Sequence, residues 1–468
     1  MRTFACKKTK NVNCGGGECQ VLPTTQIINN MNSKKMGLQA FLVAILLMTG
    51  NLLANAETVN VGGVNYNLNH SDMTAEVAEY NEVSGDIVLP ASLSYGGLKY
   101  TLTSIGEGAF YGCENLTRID IPASVVSIGK EAFADCTSLT SMKVESGNKV
   151  YDSREGCNAV IETATNKLVM GCKTSVVPSS VTSIGDYAFY KCGTLASITL
   201  PESVTSIGEY AFYKCFDLAS INLPEGLTYI GESAFWRCGE LTTLAIPASV
   251  AFIGEGAFYE CSGLGSISVA SGNKVYDSRE GCNAIIETAS NKLIAGCKTS
   301  VIPQGVISIG DDAFEGCDIA SVTLPEGVTF IGRSAFSECL ALTSVSLPES
   351  LTSVGDGAFW GCNNLKDVYC YGTEKKKAGG YDFSEIASDA VLHVHGSLLE
   401  AYKADGIWSG SFSNIVALPG TETGISQVVV DTIGSCHIYT IDGKQVPSLQ
   451  RGINILRTTN GKSIKVAK

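Results

Sequence analysis

Ile207–Tyr229 reads IGEYAFYKCFDLASINLPEGLTY, and the next 23 residues, Ile230–Phe252, read IGESAFWRCGELTTLAIPASVAF. The shared pattern is I-G-x-x-A-F-x-x-C-x-x-L-x-x-I-x-[IL]-P-x-x-[VL]-x-x. Its phenylalanine falls at Phe110, Phe133, Phe189, Phe212, Phe235, Phe258, Phe314, Phe336 and Phe359. Most steps are 23 residues, one is 22, and two are 56 because each holds an insert. A fixed period of this size marks a solenoid, in which each unit buries its apolar face only against its neighbours.

Within one unit the chemistry is directional. In Leu218-Ala-Ser-Ile221-Asn-Leu223-Pro the apolar residues close on a period of two, which is strand-like. Pro224 lacks an amide donor and ends the strand. Leu227 and Ile230 continue the inward face, and Gly231 gives a permissive backbone at the bend. Ala234, Phe235 and Cys238 then share one face at helical spacing, so a short helical turn is expected. An acid recurs after the glycine (Glu107, Asp186, Glu209, Glu232, Glu255, Asp311, Asp356), near the first free amides of that turn. Nine units plus two inserts predict about eleven coils, with parallel strands on one face and short helical turns on the other.

The A-F-x-x-C-x-x-L-x-x-I-x-I-P unit, with the L-x-x-L-x-L skeleton inside it, resembles the BspA-like leucine-rich repeat proteins of bacterial surfaces. The resemblance runs from about Ser104 to Tyr371. It implies a leucine-rich repeat solenoid and, because some members are adhesins for host matrix proteins or other cells, a binding role at a cell surface.

Around the repeats, the chain divides by composition. Residues 1–56 are a leader: Lys34 and Lys35 precede the short apolar run Leu38–Met48, and Ala54-Asn55-Ala56 has the small-x-small form of a signal-peptide cleavage site, with Met31 or Met36 the expected start. The run is too short to span a membrane as a helix. Residues 57–103 alternate like strands and are placed to cap the open end of the stack (residues 104–365), and 366–419 are placed to close it. A linker, 420–424, leads to a β-rich tail, 425–468, with hairpin signals at Asp442-Gly443 and Asn460-Gly461. Through RGINILRTTNGKSIKVAK the tail resembles the small all-β sorting domains of bacterial type IX secretion, although Asn454 stands where those domains usually carry an aromatic residue.

The two inserts are near-copies 125 residues apart: SGNKVYDSREGCNAVIETATNKLVMGCKTSVVP from Ser146 and SGNKVYDSREGCNAIIETASNKLIAGCKTSVIP from Ser271. Each reads as a hairpin projecting from one edge of the stack, like an irregular coil with a flap. Cys157 and Cys172, and likewise Cys282 and Cys297, are symmetric about the hairpin turn, a placement that allows two disulfides in an exported protein. The nine repeat cysteines occupy an equivalent position in every coil, which suits a small buried side chain.

The chain is 45% apolar and 17% charged, with a net charge of −13. Residues 57–468 hold 27 basic and 45 acidic residues, a balance that disfavours nucleic acid. No G-x-S-x-G, phosphate-loop, H-E-x-x-H or EF-hand spacing occurs, so neither catalysis nor a cofactor is expected. His393 and His395 share a strand face without a third ligand nearby in sequence, so no metal is expected there. Two repeated columns are candidates for binding an extracellular protein or glycan. One is the hydroxyl-rich outward face of the strands, including Ser197, Thr199, Asn222, Thr243 and Ser268. The other follows the core phenylalanine: Tyr111, Tyr190, Tyr213, Trp236, Tyr259 and Trp360. Those rings either meet a ligand or pack on one another to seal the coil joints.

Overall fold

The computed structural model describes residues 57–379, 381–419 and 421, and in the tail 436–440, 444–446, 453–458 and 463–467. The leader lies outside the described residues, as does all of the linker except Thr421.

A β-solenoid forms the body. Along one face run the longer strands: Gly85–Val88, Leu116–Ile121 and Ser141–Val144 in one parallel sheet, then the pairs Ser197–Thr199 with Ser220–Asn222 and Thr243–Ile246 with Ser266–Val269. Ser321–Thr323, Ser344–Leu347, Asp367–Cys370, Val391–Val394 and Asn414–Ala417 continue it. A second face carries two-residue strands in parallel register, such as Ser183–Ile184, Ser206–Ile207, Tyr229–Ile230 and Phe252–Ile253. Here Thr205 and Thr228 each donate Oγ1–H to the threonine carbonyl one coil earlier, at 3.2 and 3.0 Å. Glycine at the bend is required by proximity: a Cβ on Gly231 would lie 2.5 Å from the amide nitrogen of Glu209 in the preceding coil.

The third side is not helical. In all nine units the residues two before and two after the phenylalanine have positive φ, from 48° at Ser334 to 72° at Gly112 and Gly361. Left-handed residues on both sides of A-F prevent a helical run. The chain instead makes tight turns, and alternate amides donate to the next coil: Phe212 N–H to Ala234 O at 2.7 Å, and Tyr210 N–H to Glu232 O at 2.9 Å. This side is therefore a third ladder between coils. The Asp186 and Asp311 carboxylates join it by accepting from the amides of Glu209 and Arg333 in the following coil, at 3.0 and 2.8 Å.

Inside, the repeat residues stack on their own kind. Phe189, Phe212, Phe235 and Phe258 lie 5.1 to 5.6 Å apart and within 10° of parallel. Phe314, Phe336, Phe359 and Phe383 do the same. Each fully buried repeat thiol points at the phenylalanine carbonyl of the previous coil: Cys215 Sγ to Phe189 O is 3.2 Å and Cys238 Sγ to Phe212 O 3.3 Å.

Each insert combines a hairpin with a coil of the stack. Ala159–Glu162 and Lys167–Gly171 form the hairpin, but the returning strand lies in the stack, parallel to Ser183–Ile184. Gly171 takes the place of a phenylalanine, donating its amide to Ala188 O at 2.8 Å and leaving room for the Phe189 ring. Gly296 does the same before Phe314. Each insert is thus one coil, as the count of eleven assumed, but strands of the two capping segments, Gly85–Val88 before the repeats and those of residues 366–419 after them, join the stack as well, which has about fifteen turns rather than eleven. All four insert cysteines are free thiols. The pairings that the symmetry allows are not made, because the hairpin turns its two cysteines into different parts of the core. Cys157 packs with the coils that follow and Cys172 with those before, and Cys282 and Cys297 are divided the same way.

At the start, Glu57–Val61, Val64–Asn69 and Thr74–Val77 form a sheet that buries Tyr66 and Tyr100 over the first coil. At the other end, two short helices, Leu399–Lys403 and Gly406–Ser411, bury Tyr402 and Trp408 against Phe383 and Phe412. In the tail, Cys436–Thr440, Gln445–Val446, Ile453–Thr458 and Ser463–Ala467 form an antiparallel sheet.

Candidate binding surface

The left-handed turn decides what the flank presents. It points the phenylalanine inward and the following residue sideways, so the six aromatic residues of that column lie along one flank. Tyr111, Tyr190, Tyr213, Trp236 and Tyr259 are part-buried, and Trp360 is 36% exposed. Four of them are brought together without a gap. Tyr190 stacks on Tyr213 at 4.8 Å and 9°, Tyr213 meets Trp236 edge-on at 5.3 Å, and Trp236 meets Tyr259 edge-on at 5.6 Å. Tyr111 is separated from Tyr190 by the first insert but is bridged to it by Lys191, whose ammonium lies 4.5 Å from the Tyr111 ring centre and 5.7 Å from that of Tyr190. Trp360 stands in the last block, apart from the strip.

A second aromatic column was not singled out in the sequence. Tyr187 and Tyr210 occupy the left-handed position before Ala-Phe, stack at 5.2 Å and 15°, and touch Tyr190 and Tyr213 at 5.3 and 5.7 Å. Only the recurrence of tyrosine two residues before phenylalanine marked it. Cations cover this surface: Lys130 lies over Tyr187 at 5.0 Å and Lys214 over Tyr213 at 5.3 Å. Burial lowers the Lys214 pKa and raises that of Tyr190. Arg237 is paired with Glu260, which also accepts the Trp236 indole N–H at 3.0 Å.

Beyond that strip the flank turns acidic. Tyr259 hydrogen-bonds the buried Asp312 carboxylate, whose pKa burial raises. Burial, helped by Asp312, Glu260 and Glu338, lifts Glu315 to about 7.

The outward strand face has a different character. Ser197, Thr199, Ser220, Asn222, Thr243, Ser266 and Ser268 are exposed and short, and Asn222 exchanges hydrogen bonds with the Leu200 backbone at 3.0 and 2.9 Å. His393 is bonded to Asp367 at 2.8 Å and stacked on Tyr369 at 4.4 Å, while His395 caps its own turn through Ser397. Among the described residues no group of three or more acidic, histidine or cysteine side chains is placed to hold a metal ion, and no helix is long and apolar enough to cross a membrane.

Comparison with known proteins agrees with this architecture. No curated protein matches the chain. Among solved structures, a leucine rich cell surface protein from Faecalibacterium prausnitzii is 26% identical, over 78% of this chain and 95% of that one, with a TM-score of 0.47. The pneumococcal vaccine antigen PcpA is 17% identical, over 78% and 99%, with a TM-score of 0.45. A leucine-rich repeat protein from Bacteroides ovatus is 23% identical, over 76% and 99%, with a TM-score of 0.36. Six copies of the BspA type leucine rich repeat region match residues 91–167, 169–280 and 289–390, so the chain belongs to the BspA-type leucine-rich repeat family.

Proposed function

We propose that this chain is an exported cell-surface scaffold, adhesin-like, that binds an extracellular protein through the aromatic flank. The carrying observation is the arrangement of the rings. Tyr190 and Tyr213 stack face to face and Trp236 meets Tyr213 and Tyr259 edge-on, a continuous part-buried strip with Lys191, Lys214 and Arg237 among the rings. Tyr, Trp and Arg together are the composition of interface centres. A sugar platform needs an open ring face, and Tyr213 spends one face on Tyr190 while Lys214 lies over its ring. The glycan reading is favoured only at Trp360, which stacks on no other ring among the described residues. The export reading rests on the leader, Lys34-Lys35 followed by Leu38–Met48 and Ala54-Asn55-Ala56, and on the sorting-domain likeness of the tail.

The test is a binding screen of the exported chain against immobilised matrix proteins and a glycan panel, beside a Tyr213→Ser/Trp236→Ser variant of unchanged melting temperature. Saturable protein binding that weakens at least tenfold in the variant supports the flank. Protein binding untouched by the variant moves the site to the strand face. No binding to either panel leaves a purely structural surface component.

A further inference from the structure

The two blocks of the duplication meet their inserts differently. At the first junction, Tyr187 fills the space beside the insert, and the exposed Lys130 lays its ammonium 5.0 Å from that ring centre. One block later, 125 residues on, Glu255 stands in the place of Lys130 and Asp312 in the place of Tyr187. With the lysine and the tyrosine ring both gone, a cleft of about 310 Å³ opens between the Phe258 coil and the second insert. Its walls carry two rings absent from the first junction: Phe252, where Ser127 stood, and Tyr259, where Ala134 stood. Phe252 is 48% exposed and is held by stacking on Tyr229 at 5.0 Å and 8°.

We propose that this cleft binds a primary ammonium group on an aliphatic stem, the chemistry of a lysine side chain, with the stem along Phe252 and the ammonium among Glu255, Asp311 and Asp312. Charge and shape both favour that occupant. Glu255, Glu287, Asp311 and Asp312 line the cleft against Lys292 alone. From the rim, Arg333 reaches the buried Asp312 at 3.8 Å and Glu255 at 3.2 Å; the Glu255 pair is exposed on both sides and weakly held. Four carboxylates thus face two cations. The volume is near the lower limit for small-ligand pockets, enough for a butylammonium stem. An ammonium close to an aromatic wall gains from the ring quadrupole as well as from the carboxylates. A divalent metal is a poorer occupant, since these acids are not placed closely enough to ligate one ion, and no other set of three or more among the described residues is. In the sister junction the residue in the place of Glu255 is a lysine, Lys130, and its ammonium too lies against an aromatic ring, that of Tyr187. The cleft shares only Tyr259 with the aromatic strip and does not depend on that strip binding a protein.

The experiment is ligand-observed NMR titration of the full chain with three probes: Nα-acetyl-lysine methylamide, cadaverine, and Nα-acetyl-norleucine methylamide as the neutral analogue. Saturable binding of the first two, at least tenfold stronger than the norleucine compound, is expected. Glu255→Lys, which tethers an ammonium at the site as in the first junction, and Phe252→Ser each weaken it at least tenfold without lowering the melting temperature. Both positions are exposed, so folding is spared. Stronger binding of the lysine amide assigns the cleft to a lysine on a protein, and stronger binding of cadaverine to a free diamine. Equal binding of norleucine and lysine compounds, binding indifferent to both substitutions, or no binding of either amine at millimolar concentration overturns the proposal. Because the probes are small amines, none of these outcomes depends on the macromolecular screen.

Discussion

Replacing Gly171 by alanine puts a methyl group where the ring of Phe189 already lies. The added Cβ would be 2.2 Å from Cε1, 2.5 Å from Cζ and 2.9 Å from Cδ1 of that ring, against an ordinary carbon contact of about 3.5–4.0 Å. Phe189 is 1% exposed and stacked on Phe212 at 5.1 Å, so the ring can yield only by disturbing the next rung. Overpacking of this kind costs about 1–3 kcal/mol, while the reduced freedom of the unfolded chain returns about 0.4–1 kcal/mol. A net loss of about 1–2 kcal/mol is expected, read as a lower urea midpoint by circular dichroism. Gly406→Ala is the control: it opens an exposed helix, meets nothing within 4 Å, and leaves the midpoint level or slightly raised. Phe189→Leu combined with Gly171→Ala then costs less than the two single changes added, with a coupling of at least about 1 kcal/mol. If Gly171→Ala unfolds with the parent, or if the two losses simply add, the claim that the insert is a coil shaped to receive Phe189 is wrong.

Two further outcomes follow from groups inside the stack. Burial raises the Glu315 pKa to about 7, so the folded state holds a proton that the unfolded chain releases near pH 4.5. Stability then falls as pH rises from about 4.5 to 7, and Glu315→Gln flattens that slope, leaving the variant more stable than the parent at pH 8 in the same urea assay. The cysteines from Cys113 to Cys370 are free, all buried except the part-buried Cys192, and burial pushes the Cys192 and Cys261 thiols up to about 12. A thiol reagent at pH 8 is expected to label them at a measurable rate only after denaturant is added, and rapid labelling of the native protein contradicts the packing.

The periodicity carried most of the inward face, with Cys192, Ile221 and Leu223 only part-buried. Phe212, Cys215, Leu218, Leu227 and Ile230 are all fully buried, because each coil repeats the same contacts. The turn was misread because Ala, Phe and Cys one and three residues apart satisfy a helix as well as a pair of left-handed corners. Glycine announces such a corner at Gly108, Gly112, Gly256, Gly316, Gly357 and Gly361, but Tyr210, Lys214 and Arg237 adopt it with no local sign. Phe383 escaped the motif because Asp382 precedes it where other coils have alanine. That carboxylate is buried, with Oδ1 unbonded and a pKa raised to about 6 by burial. The insert hairpins, and an irregular coil at each insert, were legible; which strand enters the stack was not, since Gly171 and Gly296 replace the phenylalanine that would have marked it. Of the candidate surface, the single aromatic column was legible, and its partner at Tyr187 and Tyr210 was not, because contact between the two depends on the left-handed corner.

The three ladders and the free thiols have a mechanical consequence. Neighbouring coils are joined by backbone hydrogen bonds and ring stacks, and every described repeat thiol is unlinked. In a stack of this kind each coil leans only on its neighbours. Under tension between its ends, such a molecule pays out one coil at a time instead of snapping as a block, each release lengthening the tether by roughly 23 residues of chain. For a protein held at one end and gripped along its side, that would turn the body into a shock absorber.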